Sequence, residues 1–387
     1  MENRYDKYKD SGIAWIGEIP EHWEITSFKR KITINNGKDY KDFLDAEIYP
    51  VMGSGGCFAY CSNYMYDGEA LLLGRKGTID KPLYVKGKFW AVDTMFYAIP
   101  HANLDCKFAY YLALMFPFNL YSTSTSLPSL TQTDLGNILV AFPFLSEQQS
   151  IATYLDQKCG EIDELITLQE EMITKLQSYK QSVITEAVTK GLDKNVPLKD
   201  SGIEWIGEIP EHWKVVKIKY LAKIKSGDSI SSNELIQAGI YEVYGGNGLM
   251  GYCNKNNVNG FNIIIGRVGA LCGNVRLISD SKFITDNALI LNCFDNALYP
   301  YMYIMLKAAN LNNLNTSNAQ PLITGSKVLN VSLPIPPLSE QQSIADYLDQ
   351  KCSEIDELIS IKQQKIEKLK DYKKSLIFEC VTGKRKV

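Results

Sequence analysis

Two stretches of the chain repeat apolar residues every seven positions. In the first, Ile162, Gln169, Leu176 and Val183 form one column, Ile166, Ile173, Lys180 and Ala187 a second, and Leu165, Met172 and Tyr179 a third. In the second, Ile355, Lys362, Leu369 and Leu376, then Ile359, Ile366, Lys373 and Cys380, then Leu358, Lys365 and Tyr372 repeat them in register. No Gly or Pro interrupts residues 161–190 or 353–382. A seven-residue period kept up this long predicts two coiled-coil helices, the third column widening the buried stripe. Each opens on "LSEQQ", where Ser146 with Gln149, and Ser339 with Gln342, are placed to form capping boxes.

Charge suggests how these helices pair. The first is acidic early (Glu161, Asp163, Glu164, Glu170, Glu171), and the second is basic late (Lys362, Lys365, Lys368, Lys370, Lys373, Lys374). Antiparallel packing sets these regions side by side. Exposed pairs are worth under about 1 kcal/mol each, so they choose an orientation and do not hold the helices together.

The other segments read as β-rich. Residues 70–99 and 262–291 are apolar runs broken by Gly, which predicts strands and turns. Residues 106–116 and 299–309 read as short helices. The chain is also a duplication. "SGIAWIGEIPEHW" (11–23) returns as "SGIEWIGEIPEHW" (201–213), and "LSEQQSIATYLDQKC" (145–159) as "LSEQQSIADYLDQKC" (338–352). The offset is 190 residues for the first pair and 193 for the second. The segments between are poorly alike. A shared frame with diverged inserts indicates two versions of one task. The expected architecture is α+β, with two β-rich inserts (1–144 and 192–337) alternating with two long helices (145–191 and 338–387). The helices are expected to pair as an antiparallel coiled coil with pseudo-twofold symmetry.

Composition narrows the function. Among 387 residues, nine cysteines are scattered and three histidines are too few to complete zinc sites with them. Idle thiols in a reducing compartment account for them better. No run is long and apolar enough for a bilayer, and "MENRYDKYKD" lacks a signal-peptide core, so a cytoplasmic protein without membrane contact is expected. The formal charge is −3; residues 1–144 hold 14 basic and 16 acidic side chains, residues 192–337 hold 13 and 11. DNA binding would therefore need help from a partner, because phosphate contacts need Lys and Arg.

Candidate contacts lie at matched places in the inserts. "GSGG" (53–56) matches "GGNG" (245–248), and "LGRKG" (73–77) matches "IGRVG" (265–269). Ser54, Gly55, Gly56, Gly246 and Asn247 form loops that let backbone approach a ligand, although a plain turn needs the same glycines. Arg75, followed by Lys76, and Arg267 sit at strand ends between glycines. There an arginine is expected to be exposed and mobile, and suits a phosphate or a guanine edge; it would equally suit a surface ion pair. The polar runs "YSTSTS" (121–126), with Ser124 and Thr125, and "NLNTSNAQ" (313–320), with Asn315 and Thr316, offer small hydrogen-bonding groups, or ordinary solvated loops. Gly246, Gly248 and Gly251 spell GxGxxG, but "YCNKNNVNG" follows where a dinucleotide site needs a helix. Phosphate-loop, zinc-protease and amino-methyltransferase tetrapeptide signatures are missing. His22 and His212, repeated beside Trp23 and Trp213, read as packing at a domain entrance.

Two variable regions alternating with helices that open "PxLSEQQSIAxYLDxK", behind entrances reading "SGIxWIGEIPEHW", resemble the specificity subunit of type I restriction–modification systems across essentially the whole chain. The resemblance implies a non-catalytic subunit with two target-recognition domains, each reading half of an interrupted double-stranded DNA site. It implies helices that set the spacing and dock two modification subunits, with restriction subunits as further partners. The chain itself would hold no cofactor, since S-adenosylmethionine and ATP with Mg belong to the other subunits. One departure is "FPFLSEQQ" in the first half against "IPPLSEQQ" in the second, which leaves the first helix's docking angle open. A reading from another class is a coiled-coil scaffold whose inserts bind protein. A fused methyltransferase is disfavoured by the missing tetrapeptide. Near-identity of the copies also suggests recombination that shuffles inserts.

Overall fold

The computed structural model describes residues 4–122, 128–269, 271–315 and 321–387. Both long helices are present, Leu145–Lys190 and Leu338–Val381. The chain divides into two compact units, Met1–Glu170 with Gln363–Val387, and Glu171–Lys362. Each unit therefore contains one entrance, one insert, the start of one long helix and the end of the other.

Within each unit the two helix segments run antiparallel, as charge suggested. In the first, Lys373 Nζ donates to Asp163 Oδ2 at 2.6 Å, and Leu155 and Ile162 share a core with Leu376, Ile377 and Val381. In the second, Lys180 Nζ donates to Asp356 Oδ2 at 2.6 Å, and Val183, Ile184 and Val188 share a core with Ile344 and Leu348. The third apolar column does not join the seam. Leu165, Met172, Tyr179, Leu358 and Tyr372 are exposed, Tyr179 at 58%. A pair of helices buries only a narrow stripe of each, and these residues lie outside it.

The helix starts also correct the sequence reading. Phe144 O accepts from Glu147 N and Gln148 N at 2.9 and 3.0 Å, and Pro337 O accepts from Glu340 N and Gln341 N, both at 3.0 Å. The helices thus begin at Leu145 and Leu338, which places Ser146 and Ser339 inside the first turn and not at a cap. The geometry is the same in both halves, so the single proline of "FPFLSEQQ" does not alter the helix start. Phe144 instead stacks on His22, with ring centroids 6.0 Å apart.

The inserts share one strand order that their sequences conceal. The first unit has a six-stranded sheet in the order Ile32–Asn36, Met95–Pro100, Tyr66–Gly74, Leu83–Ala91, Tyr49–Gly53, Gly56–Cys61. The second follows with Ala222–Ser226, Ala288–Cys293, Asn262–Gly266 and Val275–Ile278, then a separate sheet of Phe283–Ile284, Tyr241–Gly245 and Gly248–Cys253. The single strand Leu83–Ala91 corresponds to two strands in the second unit, where residues 279–282 interrupt it. The parallel pairing is kept, Val51 opposite Trp90 and Val243 opposite Phe283.

Both faces of the central strands are covered, which explains their unbroken apolar runs. Leu71 and Leu73 face a core with Trp23, Phe28 and Phe108, while Ala70 and Leu72 face Val51 and Phe89. Ile263 and Ile265 likewise separate from Ile264. The short helices Cys106–Ala113 and Tyr299–Ala308 contribute to the larger cores, at the positions expected from sequence. Among the described residues no helix is long and apolar enough to cross a membrane.

Candidate nucleic-acid interface

The two repeated marks bind each other. In the first unit Glu147, in the opening turn of the helix, accepts from Trp23 Nε1 at 3.2 Å and from the Tyr5 hydroxyl at 2.5 Å, and its other oxygen is 2.9 Å from His22 Nε2. Burial, reinforced by this bond, raises the Tyr5 pKa, so its phenol remains a donor. In the second unit Glu340 accepts from Trp213 Nε1 at 2.9 Å and meets His212 Nε2 at 2.6 Å. The next residue is buried and ties the helix to its own lead-in: Gln148 Nε2 donates to Pro143 O at 2.9 Å, and Gln341 Nε2 to Pro336 O at 2.8 Å. "IPEHW" and "LSEQQ" therefore recur together because each entrance tryptophan, fully buried, needs the helix carboxylate for its indole N–H. The histidines belong to this packing.

On that frame each insert carries a hairpin and an arginine loop. The hairpins are Tyr49–Cys61 and Tyr241–Cys253, reading "YPVMGSGGCFAYC" and "YEVYGGNGLMGYC". Gly53 pairs with Gly56 around Ser54 and Gly55, and Gly245 pairs with Gly248 around Gly246 and Asn247. The GxGxxG string is thus part of a hairpin. Gly56 and Gly248 have φ of 103° and 127°, which explains a glycine at that turn position. Each hairpin is bulged at the same point: Val51 pairs with Ala59 but Met52 with Cys57, and Val243 pairs with Gly251 but Tyr244 with Leu249. Phe58 and Met250 are the extra residues.

The arginine loops match in main-chain bonding. Arg75 N donates to Thr94 O at 2.9 Å and Arg75 O accepts from Leu130 N at 3.0 Å; Arg267 N donates to Asn287 O at 3.0 Å and Arg267 O accepts from Ile323 N at 2.9 Å. Their side chains are less free than expected. Both arginines are half-buried. Arg75 Nη1 donates to Asp93 O at 3.2 Å, with its guanidinium 5.9 Å from the Phe96 ring centroid. Arg267 Nη1 lies 3.4 Å from Ser226 Oγ, and its buried Nε has no partner among the described residues. The Asp93 carbonyl and the Ser226 hydroxyl hold them down, yet each guanidinium has five donors, and the bonds just described use one apiece. Lys76, exposed, is bridged through its backbone to Ser129.

Hairpin and arginine loop adjoin in each unit. A Cβ on Gly246 would fall 3.6 Å from Arg267 N, and Val92 N donates to Met52 O two residues before Thr94. The chain leaving each polar run returns to the same loop: Gly77 N donates to Pro128 O, and Gly269 N to Pro321 O. Asn315 Oδ1 accepts from Leu322 N at 3.2 Å. Ser124, Thr125 and Thr316 lie outside the described residues.

Some nearby polar residues were missed in the sequence. Arg276 Nη2 donates to Asn247 O at 3.0 Å, adding a cation to the second hairpin tip. Lys223 and Lys225 line a 630 Å³ depression with Asn257, Asn259 and Asn292. Other cations are spent internally. Lys282 donates to Glu242 at 2.7 Å, which lowers the Glu242 pKa and raises that of Lys282. Lys255 and Ser231 hold Glu234 down to about 2. Aligning 49–61 with 241–253 would have exposed the hairpin; no sequence signal marks Arg276, whose role depends on strand register.

Comparison with known proteins agrees with the duplicated fold. The family model described as the type I restriction modification DNA specificity domain matches twice, over residues 20–177 and 210–371. The type I restriction enzyme MjaVIII specificity subunit of Methanocaldococcus jannaschii is 25% identical, over 95% of this chain and 94% of its own. A chain from a structural study of complex assembly and conformational transition of the type I R-M system has the same fold, with a TM-score of 0.75 at 17% identity, over 94% of this chain and 98% of that one. The HsdS subunit from Thermoanaerobacter tengcongensis aligns at a TM-score of 0.53 and 18% identity, over 94% and 98%.

Proposed function

The chain belongs to the family of type I restriction modification DNA specificity domains and carries two of them, and from that premise we propose that each unit reads one half of an interrupted double-stranded DNA site. The observation that carries this is the matched pair of hairpin and arginine loop. The same main-chain bonds recur in both units, while the side chains on them differ. Such a scaffold presents different chemistry in equivalent places, as two half-sites of different sequence require.

The long helices then set the spacing and dock two modification subunits, which in turn associate with restriction subunits. Methyl transfer from S-adenosylmethionine and ATP-driven steps belong to those chains, and this one supplies sequence preference without catalysis. The reading places it in the cytoplasm, beside DNA. With a net charge of −3, the isolated chain binds DNA weakly, and the partners supply most phosphate contacts.

The test is methylation profiling of the assembled complex on substrates mutated in each half-site. Arg75→Ala should relax preference in one half only and Arg267→Ala in the other, each by about 1–3 kcal/mol of discrimination. Unchanged preference in both variants would return these arginines to a structural role.

A further inference from the structure

Phe58 and Met250 share features that packing within the chain does not explain. Each is the single unpaired residue of a β-bulge, at the same position of the two equivalent hairpins. Bulges re-aim a side chain and cluster beside functional sites. Each residue is apolar, yet Phe58 is 60% exposed and Met250 50% exposed.

Each is also seated on a glycine. A Cβ on Gly53 would come within 3.1 Å of the Phe58 ring, and a Cβ on Gly245 within 2.5 Å of Met250 Sδ. Both glycines are buried, and neither has the positive φ that would otherwise demand one. Their missing side chain is what lets the bulged residue lie across the strand. Tyr40 meets the Phe58 ring edge-on at a centroid separation of 5.8 Å, supporting it from the side. The hairpin scaffold is common to both units (Tyr49 and Tyr241, Val51 and Val243, Tyr60 and Tyr252, Cys61 and Cys253), while the bulged residue differs.

We infer that Phe58 and Met250 are specificity-determining residues that make apolar contact with bases, Phe58 in one half-site and Met250 in the other. A two-stranded ribbon fits the major groove, and apolar side chains there contact the thymine methyl group. Neither side chain can pair with a phosphate. The adjoining arginine loop supplies the polar contacts, and the bulged residue adds a shape-selective apolar one. This inference rests on the proposed reading of half-sites and goes beyond it in naming the base-contacting surface.

The experiment uses the full chain assembled with its modification subunits. Methylation rates are measured on a series of duplexes with every half-site position substituted in turn, for the unaltered chain, Phe58→Ala and Met250→Ala. Each variant should lose preference at one or two adjacent positions of a single half-site, by on the order of ten-fold. The slope of binding against salt should not change, because no phosphate contact is removed. Unaltered preference at every position, or a reduced salt slope with preference intact, would overturn the inference. So would weaker assembly with the modification subunits at unchanged preference, which would make these residues docking contacts. If the unaltered complex showed no two-part site at all, the half-site reading itself would fail. If it showed one that both variants retained, only this inference would.

Discussion

Glu147 and Glu340 open equivalent helices and are built into equivalent clusters, yet they carry different loads. Glu147 serves Trp23, His22 and Tyr5; Glu340 serves Trp213 and His212. The position matching Tyr5 is Asn195, at the offset of 190 residues. A second difference follows one residue later. Gln148 Oε1 accepts from Asp105 N at 2.9 Å, whereas Gln341 Oε1 is buried without a partner among the described residues. The indole–carboxylate bond is kept in both units while its accessory bonds vary. The hairpins show a like distribution, with a shared scaffold and changed tips. Change in the frame falls on bonds accessory to the indole, and change in the hairpins falls on the turn and the bulged residue.

The comparison is broken hardest by removing one unit. A half-chain of residues 1–191 has an entrance, an insert and a helix, but lacks the helix end that packs on Trp23. A second copy can supply one, because Val183, Ile184, Ala187 and Val188 stand where Leu376, Ile377, Cys380 and Val381 do, 193 residues on. The half-chain should be a C2 dimer by light scattering. Assembled with modification subunits, it should methylate a palindrome of two inverted first half-sites. A folded monomer, or an asymmetric target, would show that the helix ends are not interchangeable.

The next effect separates the two carboxylates. Glu147→Ala and Glu340→Ala each strand a fully buried indole N–H, at a cost of about 1–3 kcal/mol. Glu147→Ala should cost about 1 kcal/mol more, for the Tyr5 bond. Urea midpoints measure both, and Tyr5→Phe should remove the difference. Equal losses with Tyr5 present would mean that its bond contributes nothing. The smallest effect concerns helix charge. Lys373→Ala and Lys180→Ala remove pairs whose acidic partners are more than half exposed, so each should shift stability by under about 1 kcal/mol. Thermal melts displaced well beyond that would show that ion pairs hold the helices together.

Much of the fold was legible because its signals are local or copied. Two of the three heptad columns marked the two helices and their pairing face, the third lying outside it, and the repeated marks gave the duplicated plan. The inserts were legible only as strands and short helices. Their common strand order is not legible in the sequence because residues 279–282 break one strand and because few side chains are shared. The arginine loops were found by their flanking glycines, but their half-buried state was not, since it depends on Phe96 and Ser226, distant in sequence.

Residue pattern alone thus settled what repeats along the chain: helix period, apolar runs, turn glycines and the duplicated frame. These are local properties of backbone conformation and burial. Tertiary structure decided which repeated pieces touch. Ser146 was displaced from its expected cap by the way the lead-in meets the helix, Tyr179 and Tyr372 fell outside the seam, and Glu147 was joined to Trp23 across 124 residues. It also placed Phe58 and Met250 in bulges, because a bulge exists only in the register between two strands and neither strand specifies that register by itself.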